Sequence, residues 1–340
     1  MRIGILGAAR IAPMALVRPA RNVPGVTLAA VAARDHGRAE AFARKHGVAR
    51  THASYDALLA DREIDAIYNP LPNALHCTWT IRALEAGKHV LCEKPIAANG
   101  EEAGRMAEAA ARSGRVLGEA FHWRYHALAA RMREILDSGE LGATRHVEVI
   151  FCIPYLLPGD IRYRLDLAGG ATMDVGSYTV SIVRFLGGAE PEVVGAEARL
   201  SSPGVDRWMR ADLRFPGGVT GRVTHALCSA HLIDARAIVR GERGTMSVLN
   251  PIAPQFLNRL KIRTGQGVRV ERVAGEPSYT AQLRAFAAAV RGEAPMPTDG
   301  AHGVANMRVI DAIYEKAGLR PRGTSPLSVD DDRRGDRYQA

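Results

Sequence analysis

The stretch His89-Val-Leu-Cys-Glu-Lys-Pro95 opens as a short apolar run and ends on a carboxylate and an amine held against proline. The carboxyl end of such a strand is where open α/β sheets bind ligands. Pro95 fixes its own φ and restricts Lys94 to extended backbone, which aims the amine. Only five of the 45 basic residues are lysine. Lysine can change protonation state when desolvated and arginine cannot, so a lysine here is chemically informative. Read alone, Glu93-Lys94 equally fits a surface salt bridge capping a strand. A second stretch, Leu167-Ala-Gly-Gly-Ala-Thr-Met-Asp-Val-Gly-Ser-Tyr178, permits close backbone approach at Gly169-Gly170 before a helix running through Phe185. Asp174 and Tyr178 are four apart and share one face of that helix. A carboxylate and a phenol so placed can orient a hydroxyl and move its proton. The spacing alone equally fits a buried tyrosine bonded to a capping aspartate.

The elements that would position these groups alternate through the first third of the chain. Residues 2–6 read as an apolar strand, followed by Gly7-Ala-Ala-Arg-Ile-Ala12 and a helical stretch to about Arg21. This is the strand–turn–helix context of a dinucleotide fingerprint, with Gly7 at the tight turn and Ala9 and Ala12 in place of the later glycines. Alanine still lets backbone N–H groups approach a pyrophosphate at a helix start. The second strand, 26–33, ends at Ala33-Arg34, where an NAD site would usually carry an acid for the ribose hydroxyl. Arg34 and Arg38 in its stead suit a 2′-phosphate, hence NADP; the alternative is that both are solvated charges and Asp35 serves the ribose. Ser54 caps a helix over 55–60, residues 65–68 form a strand leading into Asn69-Pro-Leu-Pro-Asn73, and 76–86 form a helix closed by Gly87. His76 reads as a loop or helix-start hydrogen-bonder. A helix over 100–113 and a further strand over 116–121 complete a doubly wound parallel sheet. From 143 onward, strand-like segments over 144–153, 192–200, 208–215, 219–226, 235–240 and 244–249 with short connections predict a mostly antiparallel sheet. Helices follow over 282–291 and 303–317, and the residues from Asp330 read as a solvated tail.

At 340 residues the chain suits two domains, and its 47% hydrophobic and 24% charged content is ordinary for a globular protein. No run approaches the roughly 18 apolar residues of a membrane helix. The amino terminus turns glycine-rich too early for a signal peptide. Cys77, Cys92, Cys152 and Cys228 are scattered without metal-ligand spacing, which suits free buried thiols in a cytoplasmic protein. No metal site is indicated. The net charge is +9, but the arginines form no basic block. That favours anionic small ligands over nucleic acid.

These motifs together resemble the glucose–fructose oxidoreductase / inositol dehydrogenase (Gfo/Idh/MocA) family. The resemblance runs from Gly7–Ala12 through Asn69–Asn73, His76, 85–95, 118–126 and 169–178 to Ala305-Asn-Met-Arg-Val-Ile-Asp311. Tyrosine at 178 and Asp160-Ile-Arg162 resemble the branch of dihydrodiol dehydrogenase and NADP-linked xylose dehydrogenase. Ala9, and Ala127 where relatives often have proline, depart from the pattern. The resemblance implies an amino-terminal Rossmann domain (1–122), an α+β substrate and oligomerisation domain on an open antiparallel sheet (123–328), a tail (329–340), and a homodimer or homotetramer. It implies that Lys94, Asp174 and Tyr178 carry the chemistry, with Arg162 a further substrate contact. The cofactor set is Gly7, Ala9, Arg10, Ile11, Arg34, Arg38, Asn69, Pro70, Leu71, Asn73, His76, Glu93, Lys94, Trp123 and Arg124.

The activity so implied is an NADP(H)-dependent interconversion of a carbinol and a carbonyl on a sugar or cyclic polyol. Tyr178 would exchange the proton, Lys94 would bond the reacting oxygen and keep the phenol acidic, and Asp174 would position a neighbouring hydroxyl. An unassisted phenol titrates near 10 and is a poor base at neutral pH, hence the need for a cation beside it. Two other readings stay open: a trans-dihydrodiol-type dehydrogenase, and a non-catalytic NADP-binding sensor on the same fold.

Overall fold

The computed structural model describes residues 1–155, 157, 159–228 and 233–323. The chain divides into two compact units. The first comprises residues 1–121 and 279–304; the second comprises 122–278 and 305–323.

Six parallel strands form the sheet of the first unit: β1 (Arg2–Leu6), β2 (Thr27–Ala32), β3 (Arg50–His52), β4 (Ala66–Asn69), β5 (His89–Cys92) and β6 (Leu117–Glu119), in the order β3-β2-β1-β4-β5-β6. The order reverses between β1 and β4, the crevice where such sheets take ligands. β4 is buried along its whole length, and Ile3, Ile5, Leu6, Val90 and Leu91 are at most 2% exposed. Each such aliphatic side chain contributes roughly 2 kcal/mol of burial free energy. The helical connections are a π-helical turn (Pro13–Val17) running into α1 (Arg18–Ala20), then α2 (His36–His46), α3 (Tyr55–Ala60), α4 (Asn73–Glu85) and α5 (Gly100–Ser113). Ser54 caps α3, Oγ accepting from Ala57 N at 3.0 Å, and the helix over 100–113 is closed by Gly114 with φ +63°. α4 begins three residues before the expected start: Pro72 cannot join the helix as a donor, and Asn73 is the first residue after it. β3 escaped sequence reading because Arg-Thr-His has no apolar alternation.

In the second unit, α6 (Ala127–Asp137) precedes β7 (Thr144–Cys152), a second π-helical turn (Thr172–Gly176) and α7 (Ser177–Gly187). Then come β8 (Glu192–Ser202), β9 (Val205–Arg214), β10 (Thr220–Ala226), β11 (Asp234–Gly241), β12 (Gly244–Leu249), β13 (Arg259–Thr264) and β14 (Gly267–Glu271). The eight strands are ordered β14-β13-β12-β11-β7-β10-β9-β8, antiparallel except for the β10–β7 pair. α7 covers the face carrying Val147, Val149, Val223 and Val239. The opposite face carries His146, Glu148, Ile150, Arg222, Ile238 and Ser247, with Leu249, Val268 and Val270 exposed.

The second domain does not run unbroken from 123 to 328. From residue 279, helix α8 (Ser278–Val290) and the segment after it belong to the first unit, before α9 (Gly300–Lys316) carries the chain back. The cause is hydrogen bonding at the edge strand β6: Glu119 N donates to Thr298 O at 2.7 Å and Thr298 Oγ1 to Glu119 O at 2.6 Å. The expected tail lies outside the described residues. Among the described residues the cysteines form no disulfide; Cys77, Cys92 and Cys152 are buried and Cys228 is half-buried. No described helix is long and apolar enough to cross a membrane.

Candidate active site

On the first unit, the loop after β1 turns at Gly7, whose φ of +89° and donation to Ala32 O at 2.7 Å draw the chain tightly across the sheet end. A Cβ there would come within 3.2 Å of Leu71 Cδ2. Ala9 and Ile11 are half-buried and Arg10 is exposed. Ala9 O and Ile11 O accept from Ala12, Met14 and Ala15, opening the π-helical turn. That wider turn replaces the regular helix expected here; such turns are frequent at functional sites. After β2, Asp35 Oδ1 accepts from Arg38 N at 3.1 Å and caps α2. One carboxylate oxygen is thereby held at the helix end. Arg34 and Arg38 stand exposed, and no ion pair joins either guanidinium among the described residues.

Behind Lys94 the first unit builds a polar scaffold. Tyr68 Oη donates to Glu93 Oε1 at 2.6 Å, and Lys94 N donates to Glu93 Oε2 at 3.3 Å. The Lys94–Pro95 peptide is cis. Ile96 N donates to the fully buried Glu119 at 2.9 Å. Asn69 is also fully buried: it donates to His76 O and Thr80 Oγ1 and accepts from Leu71 N. Pro70 is buried and Leu71 is 9% exposed, while Asn73 opens α4. His76, counted in the cofactor set, is fully buried, with its two ring nitrogens facing Pro95 O at 2.8 Å and Leu71 O at 2.7 Å. Its imidazole holds the loop and has no edge left for a ligand.

On the second unit, Asp174 lies in the π-helical turn and Tyr178 in the first turn of α7, so the two follow each other along one helical run. Asp174 Oδ2 accepts from Arg162 Nε at 2.6 Å. Arg162 Nη1 donates to Asp160 Oδ1 at 3.0 Å, and the guanidinium stacks 4.3 Å over the Tyr155 ring. Tyr155 Oη donates to Asp160 Oδ2 at 2.9 Å. Burial opposes the Arg162 charge, but Asp174 and then Asp160 outweigh it and the net pKa is raised. The guanidinium is therefore a permanent clamp on Asp174. The Tyr178 ring is 7% exposed and sits edge-on to His122 and Phe151, each 5.9 Å away. His122 Nδ1 is 2.7 Å from Ser278 Oγ. Trp123 is 1% exposed and packs edge-on against Phe185, and Arg124 stacks 4.2 Å over the same ring. Both sit in a packed cluster. Among the described residues no group of His, Cys, Asp or Glu could hold a metal ion.

Residues 1–121 match the model described as an oxidoreductase family with an NAD-binding Rossmann fold, and residues 129–247 match the Gfo/Idh/MocA carboxy-terminal domain. The chain is 38% identical over 321 residues to the D-xylose 1-dehydrogenase (NADP(+)) 2 of Haloferax volcanii, covering 93% of itself and 97% of that relative. It belongs to the Gfo/Idh/MocA oxidoreductase family. This oxidoreductase is also 37% identical over 295 residues to the dTDP-3,4-didehydro-2,6-dideoxy-alpha-D-glucose 3-reductase of Streptomyces violaceoruber, covering 86% of the chain and 85% of the relative. The crystal structure of a 3-ketoreductase from Actinomadura kijaniata in complex with NADP and TDP-benzene superposes with a TM-score of 0.86 at 29% identity, covering 94% and 98% of the two chains.

Sequence reasoning missed Tyr68, Glu119, Asp206 and His225, which support these motifs from other elements. Nothing near them in the chain announces that role; only Gly169-Gly170 hints that another group must approach closely. His76 and His225 are fully buried, and burial, the largest cause, pulls each pKa down to about 4. Main-chain carbonyls favour the charged form of His76, and Asp206 that of His225, without overcoming burial. Unfolded histidine titrates near 6.5, so below that pH the unfolded chain binds protons that the native state refuses. Stability is therefore complete above about pH 6.5 and falls as pH drops toward 4, by roughly 2 to 3 kcal/mol per histidine. The thermal midpoint should decline across that window; a flat midpoint from pH 6.5 to 4 would contradict the buried neutral state.

Proposed function

We propose that this oxidoreductase uses NADP(H) to interconvert a carbinol and a carbonyl on a sugar or cyclic polyol. The observation that carries the reading is the clamped carboxylate on the π-helical turn leading into Tyr178: Asp174 is fixed by Arg162 and shares its helical run with a phenol. A fixed acceptor can take a hydrogen bond from one substrate hydroxyl while a neighbouring phenol exchanges the proton of the reacting one. Arg162 fixes the carboxylate in place and offers its remaining edge to the substrate. Lys94, aimed by Glu93 and Pro95, donates to the reacting oxygen. The residues of the first unit suit the cofactor: the turn at Gly7 exposes backbone donors, and Arg34 and Arg38 offer unpaired guanidinium groups to a 2′-phosphate. Asp35, the acid beside them, caps α2 through one carboxylate oxygen. NADP(H), when bound, supplies or accepts the hydride. Two relatives whose names specify sugar substrates support the substrate class. A panel of aldoses, inositols and dihydrodiols, each with NAD and NADP, tests the reading by absorbance of the reduced nicotinamide. Turnover of a sugar or inositol with NADP is expected. Turnover of dihydrodiols alone would move the substrate to a non-sugar ring, and no turnover on any would favour a sensor.

The oligomer is proposed to form through the open face of the eight-stranded sheet, as a homodimer or homotetramer. That face exposes Leu249, Val268 and Val270 beside the ion pairs Arg222–Asp212 and Arg240–Glu148. Sedimentation should give an assembly at micromolar concentration, weakened by a charged residue at Val270. A clean monomer would contradict it. The protein is expected to work in the cytoplasm.

A further inference from the structure

The π-helical turn that carries Asp174 is held from behind by a buried ionic cluster whose members lie far from it in the chain. Asp206 Oδ2 accepts from Thr172 N at 2.7 Å and from Thr172 Oγ1 at 2.6 Å. Its Oδ1 accepts from Tyr314 Oη at 3.0 Å and from Arg322 Nη2 at 2.6 Å. Arg322 also donates from Nε to Gly169 O at 2.7 Å and from Nη1 to Gly204 O at 2.8 Å, and lies 4.1 Å over the Tyr314 ring. The Asp206 and Arg322 side chains are 0% and 1% exposed. Gly170, at φ +131°, has no room for a side chain: a Cβ would overlap Asp206 Oδ1 and Arg322 Nη2. On its other side the same main chain is tied to the Arg162 loop, Gly169 N donating to Arg164 O at 2.8 Å and Gly170 N to Arg162 O at 2.7 Å.

A second layer extends the cluster. His225 lies with Nε2 2.9 Å from Thr172 Oγ1 and Nδ1 3.1 Å from Thr179 Oγ1. The hydroxyl proton of Thr172 goes to Asp206 and that of Thr179 to Gly176 O at 2.9 Å, so both threonine oxygens face His225 as acceptors, and a neutral His225 can donate to one of them. Two charges and a histidine are thus directed at two threonines and two glycines. A buried ion pair contributes little net stability against well-packed apolar groups, because desolvation offsets its attraction. Directed bonds to the main chain give it another use.

We propose that Asp206 and Arg322 are positioning residues for substrate binding: they fix the Gly169–Thr172 main chain, and through it Asp174 and the Arg162 loop that clamps it. The proposal rests on Asp174 being a substrate-binding residue. Thr172→Val removes the hydroxyl that joins Asp206 to His225 with little change of volume, and is milder than Asp206→Asn, which could prevent folding. Arg322→Met and Arg322→Lys complete the set, all in the full-length chain. On the best sugar of the wild-type protein, Thr172→Val and Arg322→Met should raise KM roughly tenfold or more, the scale of sub-ångström misplacement. NADP affinity should stay within about twofold, since no contact is shared with Arg34 or Gly7. Arg322→Lys, which keeps the charge and some donors, should recover part of the loss. Amide hydrogen exchange should quicken over 169–176 and not across β8–β10. Unchanged KM with unchanged exchange, or exchange quickened evenly through the second unit, would overturn the proposal, since that is what an ordinary core cluster gives. If the wild-type protein turned over no sugar, the functional reading would fail by itself, and the local or even pattern of exchange would still decide whether Asp206 and Arg322 hold this turn.

Discussion

Lys94→Met should lower turnover by roughly a hundredfold or more, the scale of losing acid–base assistance, with NADP affinity nearly unchanged. The geometry behind Lys94 explains why the loss should fall on chemistry. Its backbone is set by Glu93, itself bonded to Tyr68, and the next residues are held by His76 and Glu119. Those bonds are made by the main chain and by neighbouring side chains, and the substitution leaves them present. Tyr178→Phe should resemble Lys94→Met, because it deletes the hydroxyl proposed to exchange the substrate proton and keeps the ring packed against Phe151 and His122. The double variant should be little worse than either, as groups acting as a unit are non-additive. Steady-state kinetics with a saturating sugar, together with NADP titration of each variant, checks this. Near wild-type turnover in both single variants would mean that these residues do not carry the reaction.

Arg34→Glu should shift cofactor preference toward NAD by about 2 kcal/mol or more, close to thirtyfold in the ratio of kcat/KM values. The substitution removes a guanidinium–phosphate pair and sets a carboxylate against the 2′-phosphate. In the wild-type protein Asp35 caps α2 through Oδ1, which accepts from Arg38 N. Arg38→Ala should move the preference the same way and by less, since no repulsion is added. A wild-type protein that uses NAD at least as well as NADP would contradict this reading of the loop.

Much of the first unit was legible because its signals are local. Ser54 and Gly114 mark helix ends by their own side-chain and backbone chemistry, and the observed helices Tyr55–Ala60 and Gly100–Ser113 begin and end where those residues put them. The type of the second sheet was equally plain from short segments with turn-rich connections. The alternation in Arg259-Leu-Lys-Ile-Arg-Thr264 was there to be read as well, with Leu260 and Ile262 buried. Contacts made at long range stayed hidden. Nothing near Thr298 announces that it pairs with Glu119, so residues 279–304 were assigned to the wrong unit. His76 has the residue type of a ligand, and only the two carbonyls around its ring reveal a structural role. Asp206 and Arg322 are separated from Thr172 and Gly169 by more than thirty and one hundred fifty residues. Asp174 falls in a π-helical turn and Tyr178 in the regular helix that follows it, and the wider turn is not announced by the spacing of the two residues.

The most direct test is isotope transfer. A sugar chosen from the panel and deuterated at its reacting carbinol carbon is incubated with the wild-type protein and NADP, and the reduced cofactor is recovered for mass spectrometry. Direct hydride transfer predicts that the reduced nicotinamide carries the deuterium while the sugar is recovered as the carbonyl compound. Reduced cofactor without the label, or no carbonyl product, would contradict it.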